Sequence, residues 1–167
     1  MKKIFVLCFV VVLLFVGVVQ AAPTTFDFTI DDFFGQFAKR LKIENLGVTK
    51  DSLNYEEVQD EDKIASRTYS WVMKEDFLMI FTESIDTGNI EKISTTTSTL
   101  EDGLAMLSTG IIMTLNPKID QKESAEIVLE LITEATATGF CSKDIDDITY
   151  SYTIQDKTHT FMAFPAG

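Results

Sequence analysis

A chain of 167 residues carrying 26 acidic against 14 basic side chains, net charge −12, is repelled by nucleic acid and by anionic lipid headgroups, so neither is expected as a partner. With 46% hydrophobic residues it is long enough for one domain with a real core. One histidine in the whole chain excludes any multi-histidine metal site.

Lys2 and Lys3 precede an apolar run from Ile4 to Val16, and Val19-Gln20-Ala21 supplies a small-residue cleavage site. Residues 1–21 therefore read as a secretory signal peptide, leaving 22–167 as a single secreted domain. Removing the leader takes the net charge from −12 to −14. The protein is expected outside the cytoplasm, in a periplasm or cell envelope or fully secreted. It meets a membrane only if the leader is retained as an anchor, and the cleavage motif argues against that. Cys8 lies inside the leader, and Val6-Leu7 before it do not make a lipidation site. Cys141 is then the single thiol of the mature chain, so no internal disulfide can form. It reads as a small buried filler.

The first mature element is a helix from about Ile30 to Leu41. Thr29 caps it with Asp32 at the capping-box spacing, and Phe28 with Phe33 can form a hydrophobic staple. Phe33, Phe34, Phe37, Ala38 and Leu41 make its apolar stripe. Asp31 and Asp32 suit the positive end of the helix dipole, and Lys39, Arg40 and Lys42 the negative end.

From Glu44 to Lys63 the periodicity fades, and the spacing predicts a loop with a short strand near Ser52–Val58. Five acids fall between Glu56 and Asp62. They lack the alternate ligands and turn glycine of a calcium loop, and Asp144-x-Asp146-Asp147 is likewise incomplete.

Residues 66–97 predict a three-stranded meander joined by two polar turns. Tyr69, Trp71 and Met73 share one face, with Thr68 and Ser70 on the other. Phe77, Met79 and Phe81 alternate with Leu78 and Ile80, so this strand reads as central and buried on both sides. Two helices follow. Ser98 with Glu101, or Thr99 with Asp102, can cap the first, and Leu100, Leu104, Leu107, Ile111 and Leu115 run down one side until Asn116-Pro117. Its other face is only weakly polar, which predicts a largely buried helix. Asp120 opens the second, with Ile127, Val128, Leu131, Ile132 and Ala135 inward and Gly139 as its stop. Glu126, Glu130 and Glu134 mark an acidic stripe facing water. A hairpin closes the chain: Ile148, Tyr150, Tyr152 and Ile154 alternate with Thr149, Ser151 and Thr153, then turn at Gln155–Thr158 and return through His159 to Phe164.

The order α-βββ-αα-ββ predicts an α+β fold: a single two-layer domain with an antiparallel sheet of about five strands and the helices on one face. No catalytic, cofactor-binding or metal-ligating residue is nominated, and no cofactor is implied. His159, beside a turn at the start of the last strand, reads as an exposed side chain remote from any nucleophile. These features point to an exported, acidic, non-enzymatic binding or interaction module for a peptide, a protein or a small apolar ligand. The rival readings are a hydrolase using paired carboxylates and an envelope-interaction protein without a pocket.

Overall fold

The computed structural model describes residues 25–60, 63–74, 77–98 and 102–166. The leader and its cleavage site lie outside the described residues, as do Thr99, Leu100 and Glu101 at the entry to the second helix. Three helices, α1 (Ile30–Leu41), α2 (Asp102–Leu115) and α3 (Gln121–Thr138), lie with seven strands: β1 (Asn54–Asp60), β2 (Lys63–Lys74), β3 (Phe77–Glu83), β4 (Ile90–Thr97), β5 (Phe140–Ile145), β6 (Ile148–Gln155) and β7 (Thr158–Pro165). The architecture is the expected single α+β domain, with more strands than the sequence suggested. The sheet is wholly antiparallel in the order β1-β2-β3-β4-β7-β6-β5. Two meanders, β1–β4 and β5–β7, join through β4 and β7, and the helical pair crosses between them.

The two extra strands are the two edges. β1 falls where a short strand was expected near Ser52–Val58, but it runs on to Asp60 and takes the first acids of the run into the sheet, paired with β2 from Asn54↔Ser70 to Asp60↔Lys63. β5 alternates exposed and half-buried residues, and Phe140, its largest apolar side chain, is exposed. Neither strand buries a hydrophobic row, so neither shows the period-2 signal by which a strand is read.

Local chemistry sets the helix ends as expected. Thr29 Oγ1 accepts the Asp32 N–H, and Asp32 Oδ2 accepts the Thr29 N–H at 3.1 Å. The Thr29 hydroxyl also donates to Asp32 Oδ2 at 2.7 Å, and this bond, with the one from the Thr29 N–H, holds the Asp32 carboxyl below its usual pKa. The Phe28 and Phe33 rings stack at 6.4 Å to complete the staple. Asp120 Oδ1 accepts the Glu123 N–H at 2.9 Å to cap α3, and Gly139 ends it in the left-handed conformation. Asp156 and Lys157, both at positive φ, form the β6–β7 turn.

All three helices lie on one face. α2 runs between α1 and α3 and packs on β4, while α3 covers β5 and β6. α1 meets β2 and β3 through aromatic pairs: Phe33 and Phe34 stand edge-on to Phe81, and Phe34 edge-on to Trp71. The register carries this face across the sheet as the row Tyr69–Phe81–Ile93–Ala163–Tyr150, every member buried. Among the described residues no helix lies on the opposite face. Leu78 and Ile80 lie there and are only half-buried, so β3 is covered on one side rather than two. The middle strand is β4, fourth of seven.

Candidate functional site

Three places bring polar and apolar groups together in a way the core does not require. The first is a groove of about 500 Å³ between α1 and the loop that follows it. Its apolar lining is Phe34, Ala38, Leu46 and Val48, and its charged lining is Asp31, Glu44 and Asp51, all acidic. The loop is shaped by an Asx turn, in which Asn45 Oδ1 accepts the Gly47 N–H at 2.9 Å while Gly47 holds φ +65°. The Asn45-Leu46-Gly47 pattern is the signal that could have marked this wall in the sequence.

The second place pins the end of that wall. The Lys50 backbone N–H donates to Asp31 Oδ1 at 2.8 Å, tying the loop to α1. Its ammonium forms an ion pair with Glu83 of β3 and lies 4.7 Å from the centre of the Tyr69 ring. Glu83 has no exposed side-chain surface, and Arg67 Nη1 lies 3.7 Å from its Oε1, which accepts no hydrogen bond. Burial works against the Lys50 charge, but the bonds to Glu83 and Tyr69 outweigh it and raise its pKa. A cavity of about 260 Å³ opens beside this cluster, lined by Lys50, Asp51, Leu53, Tyr55 and Tyr69. Glu83 continues the inward series Phe77, Met79, Phe81, and an acid in phase with a buried stripe is a sequence signal for a buried ion pair.

The third is a cleft of about 390 Å³ lined by Gln36, Lys39, Arg40, Lys42 and Met113. The basic residues that suit the α1 dipole thus also gather around a depression between α1 and α2.

The acidic stripe of α3 faces solvent as expected, with Glu126, Glu130 and Glu134 all exposed, and each also meets a neighbouring donor. Lys122 lies 3.7 Å from Glu126, Lys143 Nζ donates to Glu130 at 2.5 Å, and the Cys141 thiol donates to Glu134 Oε2 at 2.9 Å. Cys141 is half-buried, not a core filler, because it lies on edge strand β5 at the rim of α3. Burial pushes its pKa up to about 11, and the Glu134 carboxylate adds to the shift. Alkylation of Cys141 should therefore accelerate only as pH approaches about 11, and Glu134→Gln should move that rise to lower pH. A rate already on its plateau near about pH 8 would contradict this.

His159 is half-buried instead of exposed. Its strand lies between β4 and β6, and its Nδ1 meets the Tyr152 hydroxyl at 3.1 Å. Burial pushes the Tyr152 pKa up to about 12 and so holds the phenol protonated. The Asp144–Asp147 turn is also used locally: Asp144 Oδ1 accepts the Thr149 hydroxyl at 2.6 Å, and the Asp147 carbonyl accepts the Ala166 N–H. Among the described residues there is no cluster of His, Cys, Asp and Glu able to hold a metal, and no helix long and apolar enough to cross a membrane. No protein-family model, no curated protein and no solved structure matches the chain.

Proposed function

We propose that this protein is an exported, acidic, non-enzymatic interaction module that takes a basic, partly apolar peptide segment in the groove between α1 and the 43–49 loop. The observation that carries the reading is the pairing of an apolar floor with an all-acidic rim in a cavity of about 500 Å³, a size typical of ligand sites. Phe34 and Leu46 offer desolvated contact for a side chain. Asp31, Glu44 and Asp51 offer charge to a lysine or arginine beside it, and the net negative charge of the chain steers such a segment inward.

The protein has a built-in reporter. Trp71, its single tryptophan, stands edge-on to Phe34 at 5.7 Å, and Phe34 lines the groove. Titration with a short synthetic peptide alternating leucine and lysine should change Trp71 emission saturably, and more weakly as salt is added. The same peptide with glutamate for lysine should give no response. Glu44→Lys should weaken the lysine peptide by about tenfold, equivalent to about 1.4 kcal/mol. An equal response to both peptides, or an affinity indifferent to Glu44→Lys, would dismiss the groove as the site.

A further inference from the structure

The sheet face opposite the helices is a broad surface on which the described residues present little charge. Among the residues whose side chains are described, the charged ones on this face are Glu56 on β1, Glu91 and Lys92 at the bulged start of β4, and Asp144 on β5, all at the rim. The interior is two rows read off the register. One is Val72–Leu78–Thr96–Thr160–Thr153, the other Ser70–Ile80–Ser94–Met162–Ser151. Val72 is exposed, Leu78, Ile80 and Met162 are half-buried, and no described element packs over them. A solvated sheet face in a chain with 24% charged residues would be expected to carry charge at its centre. An uncharged centre inside a charged rim is the make-up of an interface instead.

We infer that this face binds a second copy of the same chain, giving a two-fold dimer with its sheets stacked face to face. Charge selects the occupant. Two copies, at −12 each or −14 each without the leader, repel over most of their surfaces and can approach closely only where charge is missing on both. Area permits it as well. Seven strands at about 4.8 Å by about six residues at about 3.4 Å give about 690 Å² in projection from each copy, or about 1,400 Å² in total, within the range of specific interfaces. Symmetry completes the argument. With β4 in the middle of the sheet, a two-fold axis along it lays β3 of one copy over β7 of the other. Ile80 then meets Met162 of the partner copy, while the small Ser94 and Thr96 of the two β4 strands face one another and let the sheets close.

Sedimentation equilibrium of the purified, exported chain should give twice the monomer mass, with association tightening as salt screens the repulsion between copies. Ile80→Lys and Met162→Glu alone should each weaken the dimer by on the order of 100-fold, since each places an unpaired charge against an apolar partner twice per dimer. An equimolar mixture of the two variants should dimerise again, because the mixed pair sets Lys against Glu at one contact and keeps Ile80 against Met162 at the other. Circular dichroism of each variant establishes that it is folded. A parent that stays monomeric at about 100 µM, whether bare or covered by another protein that copurifies, overturns the inference. So does a dimer indifferent to both substitutions, or one that mixing fails to restore. The groove titration lies on the opposite layer and is read separately.

Discussion

Replacing Lys50 by methionine should lower the stability of the domain by about 3 kcal/mol, the lower end of the range for breaking a buried ion pair. The side chain of Glu83 is fully buried while that of Lys50 is 27% exposed, so the lysine is the route by which the carboxylate reaches any solvent-like environment. Methionine keeps the apolar stem over Tyr69 and removes only the charge. Arg67, 3.7 Å from Glu83 Oε1, remains and moderates the loss. Urea unfolding should then show a lower midpoint at unchanged slope. Lys50→Met with Glu83→Met should recover most of the deficit, because the desolvated charge disappears together with its partner. A single-variant loss below about 1 kcal/mol would class the pair with ordinary surface bridges. The same substitution tests how the groove is built. Lys50 ties the 43–49 loop to β3 through its ammonium and to α1 through its N–H, and only the first tie is cut. Peptide affinity should therefore fall with stability but not vanish.

The parts of this fold legible in the sequence are those where local chemistry and burial agree. α1 was readable to the residue because Thr29, Asp32 and Phe28 fix its start and three phenylalanines and an isoleucine share its buried face. β3, β6 and β7 bury alternate residues against the helices and announce themselves by that period. The edge strands do not. β1 is held by backbone bonds to β2 and guarded by Glu56 and Glu57, a composition that discourages further pairing and also mimics a loop. β5 spends two of its inward positions on Cys141 and Lys143, which bond to acids of α3, and its Cys141 and Ile145 reach only the margin of the core.

Function was less legible for a physical reason. The groove is made by a turn and a helix face that meet through Asp31 and Lys50, nineteen residues apart, and no spacing rule anticipates that contact. Glu83 was visible as an acid in phase with an apolar stripe, yet its cation comes from a segment without periodicity. The open sheet face was half visible. The alternation of Ser70 with Val72, and of Ser94 with Thr96, was present in the sequence. That these rows line up across the sheet without a charge between them depends on β7 pairing with β4, which only the tertiary fold decides.

Phe33→Ala should cost the domain about 4 kcal/mol, within the range of about 3–5 kcal/mol for emptying a buried aromatic site. Phe33 has no exposed surface, and its ring lies 5.4 Å from Phe37, 5.3 Å from Phe81, 5.8 Å from Phe34 and 6.4 Å from Phe28, so one truncation removes four ring contacts. The neighbouring helix cannot move in to close the cavity. α2 already approaches α1 at Gly110, where even a β-carbon would lie 2.8 Å from the Phe37 ring and 3.2 Å from Leu41. A cavity that cannot collapse retains its full penalty. For a domain of this size the melting temperature should fall by about 10 °C. Leu129→Ala is the matched control. It removes an apolar side chain that is 64% exposed on α3, and should shift stability by no more than about 0.5 kcal/mol. Comparable losses from the two would mean that the aromatic cluster under α1 is not what holds the helical layer to the sheet. A loss confined to Phe33 places the anchoring of that layer, and of the groove wall built on it, in the ring contacts between α1 and β3.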